Sequence, residues 1–117
     1  MRNDKENIIV NKTFDFALDI IEFSESLYES KKFPLANQIF KSETSIGDNV
    51  REAQNAESKA DFIHKLKIAA KEADETEYWL LLCLKSPHLQ SPNEKLILHL
   101  KEILLILSKI ISSSKLK

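Results

Sequence analysis

From Phe62 to Cys83, apolar and small residues recur at 62, 66, 69, 73, 76, 80 and 83. The steps alternate between four and three without a break. Only an α-helix packed nearly along its neighbours keeps such a seam on one side. A strand would alternate at every second residue. The occupants are Phe62, Leu66, Ala69, Ala73, Thr76, Leu80 and Cys83, with small residues in the middle. A partner helix can therefore approach closely there. Ser58-Lys59-Ala60-Asp61, just ahead, has capping-box form: a hydroxyl at N-cap and an acid at N3.

The same logic divides the rest of the chain. The first seven residues are polar and expected to fray. A first helix is predicted over 11–30. Phe14, Ala17, Leu18, Ile21 and Tyr28 mark one apolar flank, and Phe16, Ile20, Phe23 and Leu27 the other. Asp15, Asp19, Glu22, Glu25 and Glu29 form an acidic stripe, with no Lys or Arg between residues 13 and 30. That stripe suits a solvated face or a basic surface of another subunit, and argues against phosphate contacts. Lys31-Lys32-Phe33-Pro34 is the turn into a second helix over 34–55, with proline in the first turn. There Ile39, Ile46, Val50 and Ala53 share one face, and Ser42, Ser45, Asn49 and Glu52 the adjoining one. The third helix is predicted over 58–85. Pro87 bars its continuation. Ser91-Pro92-Asn93-Glu94 reads as N-cap, proline and acid opening a fourth helix over 92–112. Residues 113–117 are expected to be loose. Short connections make successive helices antiparallel neighbours. The expected fold is all-α: one domain over 1–117, an up-down-up-down four-helix bundle.

Two central stretches carry a resemblance. Ser45-Ile46-Gly47-Asp48-Asn49-Val50-Arg51-Glu52-Ala53 is followed by Ser58-Lys59-Ala60-Asp61-Phe62-Ile63, then by Lys71-Glu72-Ala73-Asp74-Glu75-Thr76-Glu77-Tyr78-Trp79-Leu80. With Pro34 and Gln38 opening the second helix, the chain resembles the small four-helix bundle family that includes the 23S rRNA intervening-sequence proteins. The resemblance implies an antiparallel bundle and a ring-like homo-oligomer, with a pentamer the associated form. Relatives are encoded in insertions within ribosomal RNA genes, and an accessory protein of diversity-generating retroelements is a related basic nucleic-acid binder. The resemblance brings no enzymatic activity with it.

Helix four is apolar around more of its circumference than one core needs. Leu96, Leu100, Ile103, Leu107 and Ile110 form a stripe that Ile97, Leu104 and Ile111 widen. Leu98, Leu105 and Ile106 remain outside it. On helix three, Ile68, Trp79 and Leu82 fall off the seam. These six are the expected subunit interface. Ser45, Asn49, Glu52, Glu75 and Tyr78 are the expected hydrogen-bonded layer between helices two and three. Gly47, the chain's only glycine, suggests close helix contact, a slight kink, or a ligand approaching the backbone.

Charge bounds the function classes. Net charge is −1 and the isoelectric point near 6.3, which weakens the case for a strongly basic nucleic-acid binder. Residues 58–71 nonetheless hold four lysines against one acid, and 72–77 four acids and no base, the reverse of what a helix dipole prefers. Lys59, Lys65 and Lys67, extended by Lys41 and Arg51 on helix two, are the candidate nucleic-acid contacts. Asp61 and His64 stand three apart, but the second Asp/Glu-x-x-His motif of a di-metal bundle is missing. No cysteine cluster suits zinc, and one glycine makes no phosphate-cradling loop. No catalytic residue, metal or cofactor is expected. Lone Cys83 in the seam suggests a buried thiol in a reducing compartment, hence a cytoplasmic protein. The longest apolar run, 103–107, is too short to span a membrane.

Overall fold

The computed structural model describes residues 7–116. Four α-helices account for nearly all of them: α1 (Ile8–Glu29), α2 (Phe33–Gln54), α3 (Lys59–Lys85) and α4 (Glu94–Lys115). No strand occurs among the described residues. The expected seam on α3 is the core. Leu66, Ala69, Ala73, Thr76, Leu80 and Cys83 are fully buried, and Phe62 closes the end half-buried. Opposite them lie Phe16, Ile20 and Leu27 of α1, Ile39, Ile46 and Val50 of α2, and Leu100, Ile103 and Leu107 of α4. Each helix packs on two others, in the cyclic order α1, α2, α3, α4. The diagonal pairs α1/α3 and α2/α4 have no close backbone approach. The α1/α2 side and the α3/α4 side are therefore opposite faces of a body about 47 Å long and 22 Å wide.

Hydrogen bonds fix how the helices meet. Asn7 at the start of α1 donates to Gln54 at the end of α2 at 2.8 Å, and Tyr28 near the end of α1 donates to Asn37 in the second turn of α2. Lys12 of α1 pairs with Glu102 of α4 at 2.8 Å, and Asp19 faces His99 at 3.7 Å. Between α2 and α3, the buried Ser42 and Thr76 hydroxyls lie 2.8 Å apart.

The helix ends depart from expectation for local reasons. Helix one begins at Ile8, earlier than expected, because the Asn7 side chain accepts from the Val10 amide and caps it. The frayed segment expected at the start otherwise lies outside the described residues. Helix four is capped by Asn93, not Ser91: the Asn93 side chain accepts from the Leu96 amide at 2.8 Å, leaving Pro92 outside the helix and buried. At its other end α4 continues to Lys115, so residues 113–115 of the tail expected to be loose are helical, and Lys117 lies outside the described residues. Ser58 caps α3 as expected, accepting from the Asp61 amide at 3.0 Å. The reciprocal bond slips by one residue, Asp61 accepting from the Glu57 amide at 3.3 Å. Between α1 and α2, Lys31 takes φ of 62°. Its amide donates to the Tyr28 carbonyl and the Lys32 amide to the Leu27 carbonyl, a Schellman closure with lysine in the place that favours glycine.

Candidate functional site

The exposed apolar residues fall on two faces. On the α1/α2 side, Phe14 (56% exposed), Leu18 (53%) and Ile21 of α1 and Phe40 of α2 are exposed. On the α3/α4 side, Leu98 (55%) and Leu105 (57%) of α4 and Leu81 and Leu84 of α3 are exposed. The faces lie at the same height, since Leu18 and Leu98 each precede a member of the Asp19–His99 pair. The six expected interface residues divide. Leu82, Leu98 and Leu105 are exposed. Ile68 is half-buried, and Trp79 and Ile106 pack against the core. Trp79 Nε1 is buried without a hydrogen-bond partner, its ring edge-on to Tyr78 at 5.2 Å between centroids.

Among the hydrogen bonds seen, the polar residues expected to form one layer join one another only at Ser45 and Asn49. Asn49 donates to the Ser45 carbonyl at 2.8 Å and to its hydroxyl at 3.2 Å, both within α2. Glu52 pairs with Lys65 of α3 at 3.2 Å, and that hydrogen bond lowers the Glu52 pKa. Asp48, hydrogen-bonded to Glu52, is raised in turn. Glu75 sits beside Glu72, which is raised chiefly by burial and then by Glu75. Tyr78 is exposed. The buried link across α2 and α3 is the Ser42–Thr76 contact.

The five candidate nucleic-acid contacts are also dispersed. Lys41 lies near Glu72. Arg51 lines a groove against α1. Lys65 faces α2 through Glu52, whereas Lys67, two residues on, points the other way and meets Lys115 of α4. That neighbouring ammonium lowers Lys115. Lys59 is exposed at the start of α3. Asp61 is engaged at the helix cap and His64 is exposed. Among the described residues no cluster of three or more His, Cys, Asp or Glu could hold a metal ion. No helix is long and apolar enough to cross a membrane. Cys83 is fully buried, and burial pushes its thiol up to about 11.

One feature was not anticipated. Glu43 of α2 is fully buried, and neither of its carboxylate oxygens has a hydrogen-bond partner. Burial raises its pKa to about 7. The signal was present in the spacing. Residues 36, 39, 43, 46, 50 and 53 step three and four along α2, which puts a carboxyl in the core register. The α1 flank of Phe14, Leu18 and Ile21 was visible as apolar. Its exposure depends on how α1 is turned against α2, which spacing alone does not specify.

Comparison with known proteins finds likeness to a family and to solved structures. The model of the family described as 23S rRNA-intervening sequence protein matches residues 5–109. A crystal structure of a protein of unknown function from the S23 ribosomal protein family, from Bacteroides thetaiotaomicron VPI-5482, is 42% identical. The match covers 88% of this chain and 97% of that one, with a TM-score of 0.82. No curated protein matches.

Proposed function

Since the chain belongs to the 23S rRNA-intervening sequence protein family, we propose that it is a non-enzymatic, homo-oligomeric four-helix bundle that serves as a binding or scaffold protein in the cytoplasm. The proposed connectivity is up-down-up-down, with neighbouring helices antiparallel. The Asn7–Gln54 and Tyr28–Asn37 bonds, which join opposite ends of α1 and α2, support it. A single buried thiol supports the reducing compartment. The non-enzymatic part rests on the resemblance alone.

One observation carries the oligomer: two exposed apolar faces, at the same height, on opposite sides of the body. Patches of this kind mark association surfaces. Two different patches per copy make a heterologous contact, which closes into a ring where the rotation allows. The charges agree. Residues 13–30 beside one face carry five acids and no base, while α4 on the other carries four lysines and two glutamates. Such complementarity favours face-to-opposite-face docking over like-to-like pairing. A pentamer is the count the resemblance suggests. Light scattering coupled to gel filtration tests the reading. The expected mass is several times 13.5 kDa, and Leu98→Glu with Leu105→Glu reduces it to one chain with helicity intact. A monomeric wild type at micromolar concentration would end this reading.

A second reading is association with RNA or DNA through Lys41, Arg51, Lys59, Lys65 and Lys67. The Lys67–Lys115 contact favours it, since two adjacent ammonium groups attract an anion. Binding to a structured RNA should then weaken steeply from low to moderate salt and fall on Lys67→Glu. Binding that is absent or salt-independent counts against it.

A further inference from the structure

Gly47 lacks a local reason. It sits inside α2, where glycine is disfavoured, and its φ is not positive. A Cβ built there would meet nothing within 4 Å, so close helix contact does not demand it. Its missing side chain instead leaves open a groove of about 220 Å³ between α1 and α2. A dry cavity of about 150 Å³ already holds a benzene-sized guest. Helical side chains lean toward the N-terminus and cover the turn before their own Cα. A side chain at 47 would therefore lie over position 43, the place of the buried Glu43 carboxyl.

The groove thus has an unusual floor. Both Glu43 oxygens are acceptors with nothing to receive, which is costly for a buried group. Phe14, Ala17 and Val10 supply apolar wall, and Asp48 and Arg51 also line the groove. Thr13 is already engaged, its hydroxyl donating within reach of the Ile9 and Val10 carbonyls at 2.8 and 3.1 Å. Completing the site requires a donor on a slim apolar stem. A cation is favoured, because it lets the carboxyl ionise.

Resting on the oligomeric reading above, we propose that the next copy of the chain completes this site: its Leu98–Lys101–Leu105 ridge seats against Phe14, Leu18 and Phe40, and its Lys101 ammonium is the donor to Glu43. Lys101 stands three residues after Leu98 and four before Leu105, on the same exposed strip of α4. Its four-carbon stem can lie along apolar wall while the ammonium reaches the carboxyl. The ridge and groove lie on opposite faces at one height, as a head-to-tail contact needs. Glu43 is fully covered in a single copy, so the contact also needs its side chain to swing toward the groove that Gly47 leaves open. The contact fixes register as well as affinity, because a misaligned copy would leave Glu43 unpaired.

The test is the subunit dissociation constant by sedimentation equilibrium, with circular dichroism as the check on folding. Lys101→Met keeps the stem, removes the charge and alters an exposed residue, so folding is preserved. It should raise the dissociation constant at least tenfold. Gly47→Met, which fills the groove, should do the same while keeping wild-type helicity by circular dichroism. Gly47→Ala, too short to cover Glu43, should stay within a factor of three. Glu43→Gln combined with Lys101→Met should be no weaker than the weaker single variant. Wild-type assembly with Lys101→Met and Gly47→Met both within twofold of it overturns this inference and leaves the oligomer standing. Fully additive effects of Glu43→Gln and Lys101→Met overturn the pairing of these two residues. A monomeric wild type removes the oligomer and this inference together.

Discussion

In a single copy, Glu43 should make the protein lose stability as pH rises. Its folded pKa of about 7 stands above the ordinary 4.5 because burial disfavours the charged form. Between those values the unfolded chain has released a proton that the folded chain still holds. Stability is therefore fully present below 4.5 and falls as pH climbs to 7, by roughly 1.4 kcal/mol per unit within the window. Integrated from pH 5 to pH 8, the loss is about 2.5 kcal/mol, large beside a total of roughly 5–15 kcal/mol. Glu43→Gln abolishes the titration and leaves a pH-independent offset for its buried amide. Urea unfolding of both proteins across this range isolates the effect. Asp48 and Arg51, which line the same groove, and the Asp19–His99 pair remain in both, so their contributions largely cancel in the difference. The comparison belongs in the Leu98→Glu, Leu105→Glu background, so that no second copy supplies a cation. The wild-type carboxyl should be the less stable partner at pH 8, relative to pH 5, by that 2.5 kcal/mol, approximately. Parallel profiles for the two proteins would refute the account of Glu43 as a buried, unpaired acid.

Three further outcomes follow from named positions. Gly47→Ala should raise stability by about 1 kcal/mol in urea unfolding, since the added methyl meets no neighbour and alanine favours the helix. Lys31→Gly should also stabilise, by up to about 1 kcal/mol, because Lys31 holds a left-handed backbone that glycine adopts freely. Cys83 should resist a thiol reagent such as DTNB in the native protein, with burial and a thiol raised to about 11 both slowing it, and should react stoichiometrically once unfolded in urea.

The fold was largely legible because its signals are periodic and redundant. The α3 seam alone specified a long helix with one buried side, and Ser58 marked its start. Asn93 was missed as the cap of α4 because Ser91-Pro92 offered a conventional start, and both readings satisfy the same local rules. The site was less legible. Leu98 and Leu105 could be read as surplus from α4 alone, since they lie opposite its core stripe. Trp79 and Ile106 stand nearer the core boundary, where a modest rotation of the helix decides between cover and exposure. The five basic residues looked like a patch in sequence. Lys65 and Lys67 face opposite ways, and Lys65 already has Glu52.

Gly47 and Lys31 together show where local preference yields to something wider. The chain has one glycine and one described non-glycine residue with positive φ. Local energetics alone would put the glycine at 31, where the turn wants it, and a helix former at 47. The sequence does the reverse, and each departure is unfavourable. At 31 the lysine still offers a cation near the C-terminus of α1, a partial compensation from the helix dipole. At 47 no neighbour within the chain compensates, because the space beside it is empty. Glu43, one turn earlier, is a second unfavourable choice on the same side of the same helix, a carboxyl in core register without a partner. Two adjacent departures that a single copy leaves uncompensated become consistent if another molecule supplies the missing half. An ammonium on an apolar ridge would satisfy the carboxyl, and only a bare helix surface at 47 would let it in.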